Sequence, residues 1–212
     1  MQVGRFACIP EITATSPGLS AYAAAPGRYQ VRLTVGDFSQ TQDFRILMDP
    51  RLEGIAADPV AEYAMLDRLS ASLLEAATEM SQGVLDLRQV KQQLGFILEV
   101  SRSQEVTEQG EALDGTVDTW IAKILQKELK TFQNAYQHEA RLLMKYKDLL
   151  GRIGGANIPV TDGVKEVTGD YLTLWSEIEA ELQQIKNRDI PAFNALLRDA
   201  GLPEIYLPRP VT

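Results

Sequence analysis

The stretch Asp58–Arg102, DPVAEYAMLDRLSASLLEAATEMSQGVLDLRQVKQQLGFILEVSR, decides the fold. Tyr63, Leu66, Leu69, Leu73, Ala77, Met80, Val84, Leu87, Leu94 and Leu98 recur at steps of three and four, with one longer gap across Val90–Lys91. That spacing puts one apolar seam along a single helix. At about 1.5 Å per residue such a helix is a rod roughly 66 Å long. A rod with an apolar seam needs other helices to cover it. Asp58 before Pro59 supplies the start, with a side-chain acceptor at the N-cap and a proline in the first turn, where no N–H is missed. Gly83 and Gly95 lie inside the pattern, each worth up to about 1 kcal/mol less than alanine. They mark a bend or a close approach of another backbone.

Two further seams follow. Ser101–Thr116 loses the period and holds Gly110 and Gly115, so the chain is expected to reverse there. A second long helix is expected from Val117 to Gly151, through Val117, Trp120, Ile121, Ile124, Leu125, Leu129, Phe132, Tyr136, Leu143, Tyr146 and Leu150. Gly154–Gly155 and Pro159 stop it. Thr161 caps a third, with Val164, Val167, Tyr171, Leu174, Ile178, Leu182 and Ile185 on its seam and Trp175 flanking. A break at Asn187–Asp189 precedes a short fourth helix that buries Phe193, Leu196 and Leu197 and ends at Gly201–Pro203, before an extended tail. Long heptad-like seams with reversals between them give an antiparallel three-helix bundle with near-aligned packing. The third helix is shorter than the first two, so part of their seam falls to the fourth helix, the β segment or a second copy.

Upstream lies the clearest β signal. Arg28–Val35 (RYQVRLTV) alternates strictly, Gly36–Asp37 forms a two-residue turn, and Phe38–Met48 returns. With that turn Val35 faces Phe38, Leu33 faces Gln40, Val31 faces Gln42 and Tyr29 faces Phe44. The apolar residues of the first strand then share one face, with Arg32, Thr34, Ser39 and Thr41 on the other. A two-stranded hairpin alone is marginal. It must lie on the helices, join a sheet from another chain, or end a sandwich. Residues 1–27 are irregular, with a short strand expected around Arg5–Ile9 and a type II turn at Pro26–Gly27. The fold class is thus mainly α with a small β part: a β-hairpin or partial sandwich over residues 1–51, and a helical bundle over 52–212.

Charge narrows the partners. The net charge is −8; the first 51 residues hold five arginines against Glu11, Asp37, Asp43 and Asp49, leaving −9 on the rest. An acidic helical part argues against a nucleic-acid groove and against anionic lipid. No window reaches the length and apolarity of a membrane span. Met1–Pro10 lack the charged start and apolar run of a signal peptide, so the expectation is a cytoplasmic chain or a start further upstream. The one cysteine, Cys8, excludes an internal disulfide and reads as a small packed residue between Phe6 and Ile9.

The chemical inventory yields no catalytic, cofactor-binding or metal-ligating residue. His138, the one histidine, reads as a solvent-facing helix residue, since one histidine without a cysteine cluster cannot build the usual zinc set. Glu177 and Glu181 could in principle do acid/base work on a glycoside, but they fall on a polar helix face. Ser81–Gln82–Gly83 and Gly154–Gly155 match no phosphate-cradling loop, and no serine sits in a nucleophile elbow. Trp120, Trp175, Tyr136, Tyr146 and Tyr171 read as core rather than as a sugar-stacking platform.

The run Ala25-Pro-Gly-Arg-Tyr-Gln-Val-Arg-Leu-Thr-Val-Gly, then Thr41–Gln42 and Met48-Asp49-Pro50-Arg51, resembles the C-terminal region of bacterial BNR-repeat or sortilin-like glycosyl hydrolase-type proteins. There a β-propeller is followed by a small sandwich and a helical region, and Asn194–Pro203 is similar to how that region closes. The resemblance implies a secreted or periplasmic parent with a glycan-related role. It transfers no catalytic residue, because the family's active site belongs to the propeller. The expectation is a non-catalytic interaction module that dimerises or docks on a propeller-type partner through an exposed sheet edge or an uncovered helix seam. The alternatives are a fragment or reduced relative of a secreted glycoside hydrolase-like protein, and a helical adaptor that binds a partner helix in a groove.

Overall fold

A 42-residue helix organises the chain in the computed structural model, which describes residues 24–52, 54–126, 128, 138–153 and 158–207. Helix α1 (Pro59–Val100) begins as its sequence dictates, with the Asp58 carboxylate accepting the Ala61 N–H at 3.1 Å. The expected seam is the interior: Leu73, Ala77, Met80, Val84, Leu87 and Leu94 have no solvent exposure.

Helix α2 (Gln104–Ile124) starts a turn after α1 ends, capped by the Ser103 hydroxyl, which accepts the Val106 N–H. The reversal is therefore confined to Ser101–Ser103, not spread to Thr116, and Gly110 and Gly115 lie inside the helix. Gly110 occupies the seam beside Val106, Leu113 and Val117, where a Cβ would lie 2.8 Å from Leu98 and 3.1 Å from Phe193. The expected continuous helix Val117–Gly151 is instead divided. The chain turns extended at Leu125 and resumes as α3 (Leu142–Ile153). Leu129, Phe132 and Tyr136 lie outside the described residues, as do Cys8, the expected strand at Arg5–Ile9 and Gly154–Gly155.

Helix α4 (Asp162–Gln184) runs on through a π-helical turn, Ile185–Asp189, into α5 (Ile190–Asp199). The expected break at Asn187–Asp189 is thus a widened turn in a continuous path. The expected seam holds at Ile178, Leu182 and Ile185, but before them the buried face is shifted by one residue. Thr168, Trp175, Ile178 and Leu182 are buried, whereas Val167 and Leu174 stay about 40 % exposed. The size of Trp175 decides this, because the bundle interior has room for an indole that its surface cannot cover. Trp175 meets Trp120 edge-on at 6.5 Å, and each indole N–H has a partner: the Ile178 carbonyl for Trp120 and the Glu79 carboxylate for Trp175.

These contacts fix direction. Gly83 lies against Trp120, and Lys91 bridges Asp114 and Asp118, so α2 runs antiparallel to α1. Glu62 accepts the Val160 N–H, Glu79 meets Trp175 and Asp86 meets Lys186, so α4 runs parallel to α1. α3 packs on α1 and on α4, where the Tyr146 hydroxyl donates to the Tyr171 carbonyl. The result is an up-down-up bundle whose second rod is interrupted. Residues 202–207 then lie along it, pinned by two side-chain amides: Asn194 exchanges both bonds with the Ile205 backbone, and Gln93 does the same with Tyr206.

The hairpin stands apart from this core. β1 (Gly27–Val35) and β2 (Phe38–Ile46) pair antiparallel in the expected register, from Val35↔Phe38 through Tyr29↔Phe44 to Gly27↔Ile46. Gly36 takes the positive φ of the turn, +57°. Gly27 opens β1 without a positive φ, so the type II turn expected at Pro26–Gly27 does not form. Among the described residues, Ala25, Met48 and Leu52 reach the bundle core from either side, while the strands pack chiefly on each other.

Candidate interaction surface

The alternation that makes the hairpin also divides its faces. Tyr29, Val31, Leu33, Val35, Phe38 and Phe44 share one face. Four of them are more than half exposed: Val31 54 %, Leu33 60 %, Val35 64 % and Phe38 59 %. Tyr29 and Phe44 stack at 5.7 Å, and the Tyr29 hydroxyl donates to the Ala25 carbonyl, which firms the base of the ribbon. The open apolar surface is on the order of 500 Å², in the range of the largest patch on a typical monomer, which is often a contact site. The sequence left three places for this face. The structure does not lay it on the helices.

The other face carries Arg28, Gln30, Arg32 and Thr34 on β1, and Ser39, Thr41, Asp43 and Arg45 on β2. Gln30 donates to Asp43 at 2.8 Å and Arg32 to the Thr41 hydroxyl at 3.3 Å. Arg28 stands directly opposite Arg45, an arrangement of like charges that weakens a ladder.

Backbone polarity follows from the turn. A two-residue turn makes Val35–Phe38 the closing hydrogen-bonded pair, and bonded pairs then alternate down an antiparallel ladder. The odd-numbered residues of β1 bond to β2. Arg28, Gln30, Arg32 and Thr34 therefore aim their N–H and C=O groups outward. The sheet has two strands, so both outer edges are unpaired among the described residues. Neither strand holds a proline, a lysine or a bulge, three of the devices by which sheet edges are shielded.

The Met48-Asp49-Pro50-Arg51 run is a local clamp after β2. Asp49 accepts the Arg51 N–H at 2.9 Å and its guanidinium at 2.6 Å, and a 3₁₀ turn, Pro50–Leu52, follows. The Arg51 hydrogen bonds hold the Asp49 carboxyl at about 2. The clamp is local, joining residues two apart, and its arginine faces solvent.

Two shallow clefts lie between α2 and the α4–α5 path. One of 380 Å³ is lined by Glu105, Leu113, Thr116, Phe193 and Leu196, among others. Its neighbour of 510 Å³ shares Ala112, Thr116 and Asp189 with it. Both are open and rimmed by polar groups, without a converging set of catalytic side chains. A third, of 530 Å³, lies at the hairpin base among Arg28, Tyr29, Gln30, Asp43, Phe44 and Arg45.

The residues singled out for chemistry do not converge. His138 is half-buried beyond α2 and outside any helix, which corrects the expected mid-helix position. Glu177 and Glu181 are exposed, and Glu181 holds Lys123. Ser81 and Gly83 are buried inside α1, with the Ser81 hydroxyl donating to the Ala77 carbonyl. Trp120, Trp175 and Tyr146 are core, Tyr171 is half-buried, and Tyr136 lies outside the described residues. Burial pushes the Tyr146 phenol well above its ordinary range, with Tyr171 beside it adding to the effect. Burial opposes the Lys91 charge, yet its bonds to Asp114 and Asp118 outweigh that and raise its pKa. Both are structural pairings. Among the described residues no group of three His, Cys, Asp or Glu side chains could hold a metal ion, and no helix is long and apolar enough to cross a membrane.

Comparison of the chain with family models, with curated proteins and with solved structures finds no match. The likeness of residues 25–51 and 194–203 to propeller-protein C-termini therefore rests on those short runs alone.

Proposed function

We propose that this chain is a non-catalytic interaction module whose helical bundle holds up the hairpin as its contact element. One observation carries the reading. Among the described residues the helices bury their seams on one another, while the hairpin leaves its apolar face open and its backbone edges unpaired. A solvent-facing strand has no folding reason to alternate Tyr29, Val31, Leu33 and Val35 so regularly. A protein neighbour supplies one, either by stacking on the face or by adding a strand. The resemblance to propeller-protein C-termini makes a β-propeller one candidate neighbour.

In isolation the open faces have only each other. Two copies stacked through them cover an area near the lower bound for a specific interface, so association is weak and concentration-dependent. Light scattering on the purified chain from about 1 µM to 1 mM tests this. The expected result is a mass rising above the 23.5 kDa of one chain, and a Val31→Asp/Leu33→Asp variant that stays monomeric. A chain strictly monomeric throughout, with the variant indistinguishable from it, would overturn the reading.

A further inference from the structure

We infer that the outer edge of β1 takes an extended partner segment in which apolar and acidic residues alternate. The inference deepens the interaction reading above and rests on it. Three features of β1 converge. Its outward N–H and C=O groups, from Arg28, Gln30, Arg32 and Thr34, form a template about seven residues long that is unshielded among the described residues. A strand laid against it sets every second side chain beside Tyr29, Val31, Leu33 and Val35, where apolar residues extend the open layer. The intervening side chains fall beside Arg28 and Arg32.

Charge chooses those intervening residues. Arg28, Arg32 and Arg45 share the polar face, and among the described residues none of the three makes an ion pair. Asp43, the one carboxylate beside them on that face, is bonded to Gln30. Three arginines to one carboxylate, in a chain of net charge −8, is out of keeping with the rest of the molecule. Opposite charges on neighbouring strands stabilise a sheet and like charges oppose it. β2 is the poorer edge, since Gln40 and Gln42 interrupt its apolar face and Asp43 sits beside Arg45. A second copy is the wrong occupant of the β1 edge. Paired antiparallel over residues 28–34, it sets Thr34 and Gln30 of one chain against Arg28 and Arg32 of the other and brings no carboxylate to either arginine.

The test uses the full chain and three labelled synthetic peptides of seven residues: valine alternating with glutamate, valine alternating with lysine, and the glutamate peptide rearranged into blocks. Fluorescence anisotropy gives the affinities, and amide exchange by NMR locates the contact. The acidic alternating peptide is expected to bind at least tenfold tighter than either of the others. Its advantage over the basic one should shrink as salt screens the arginines. It should slow exchange at Arg28, Gln30, Arg32 and Thr34. Arg28→Glu/Arg32→Glu should reverse the order of the acidic and basic peptides. Gln30→Pro removes an outward N–H while sparing the backbone bonds to β2, and should weaken the acidic peptide about tenfold; Gln30→Ala, which loses only the same side-chain bond to Asp43, should not.

Equal binding of the acidic and basic peptides overturns the charge assignment, and protection confined to other residues overturns the site. Protection of the four amides that grows with protein concentration, without peptide, makes a second copy the occupant and equally overturns it. If no peptide binds at 1 mM while the chain self-associates through its apolar face, this inference fails and the interaction reading stands. If the chain is also strictly monomeric, both fail.

Discussion

Gly83 and Gly95 lie twelve residues apart in α1, and the same substitution should act on them in opposite directions. By helix propensity alone, alanine at either site gains about 1 kcal/mol. Gly95 has nothing within 4 Å of where its Cβ would stand, so it should realise that gain. At Gly83 the added carbon would lie 2.7 Å from Leu182 Cδ2 and 2.8 Å from Trp120 Cη2. The leucine methyl can rotate aside. The indole cannot, because its N–H is held by the Ile178 carbonyl at 2.9 Å and its ring abuts Trp175. Overpacking of this kind costs about 1–3 kcal/mol. Set against the propensity gain of about 1 kcal/mol, Gly83→Ala should lose up to about 2 kcal/mol. In a domain of this size that lowers Tm by up to about 8 °C, while Gly95→Ala raises it by about 2–4 °C. Urea unfolding followed by far-UV circular dichroism and calorimetry on both variants gives the answer. Trp120→Phe should make Gly83→Ala neutral or stabilising in its background, since the clashing part of the ring is gone. If Gly83→Ala stabilises the chain as much as Gly95→Ala does, the close packing of α1 on Trp120 is wrong.

Three further perturbations probe other joints. Asp86 and Lys186 join α1 to the π-helical turn at 2.6 Å with side chains only 10 % and 22 % exposed, and Gln82 also bonds the carboxylate. Lys186→Ala strands a mostly buried carboxylate and should cost about 2 kcal/mol in urea unfolding, less than a fully sealed pair would, with a smaller loss for Asp86→Asn/Lys186→Met. Asn194→Ala removes both bonds that hold Ile205; it should cost about 1–2 kcal/mol and speed amide exchange at Ile205 well beyond that of the α1 core. Asp49 should titrate at about 2 by NMR and return toward the ordinary 3.8 in Arg51→Gln. Because folding depresses this pKa, the clamp's contribution is present above about 3.8 and is lost as pH falls toward about 2.

The hairpin's turn and register were legible, although β2 ends at Ile46, short of the expected Met48. A two-residue turn and strict alternation admit a single register, and a slip of one residue would reverse every face. α1 was legible for the matching reason: its seam is long and its cap local. The second rod was not. Its apolar spacing runs through Leu125 as if the helix continued, and no glycine or proline there marks the break. Gly110 misled in the other direction. It reads as a breaker, yet Val106, Gly110, Leu113 and Val117 form a seam in which the glycine is the small member under Leu98 and Phe193. Ser103 as N-cap was the available signal. On α4 two stripes one residue apart both keep the three-four rhythm. The sequence favours Val167 and Leu174 by hydrophobicity, and tertiary packing turns the bulkier Trp175 inward, taking with it Thr168 two turns earlier. The candidate surface was legible as a question about what covers the hairpin. That it stands clear of the bundle is a matter of tertiary placement, which no periodicity encodes.

The most direct trial of the account is the unfolding free energy of Leu33→Asp set beside that of Leu87→Ala, measured by urea denaturation of dilute, monomeric protein. Leu87 is fully buried in α1, and its truncation should remove about 2–5 kcal/mol. Leu33 is 60 % exposed; a charge there should change stability by no more than about 0.5 kcal/mol. A loss at Leu33→Asp as large as that at Leu87→Ala would make the hairpin face part of this chain's own core, and the idea of a surface kept open for a neighbour would be contradicted.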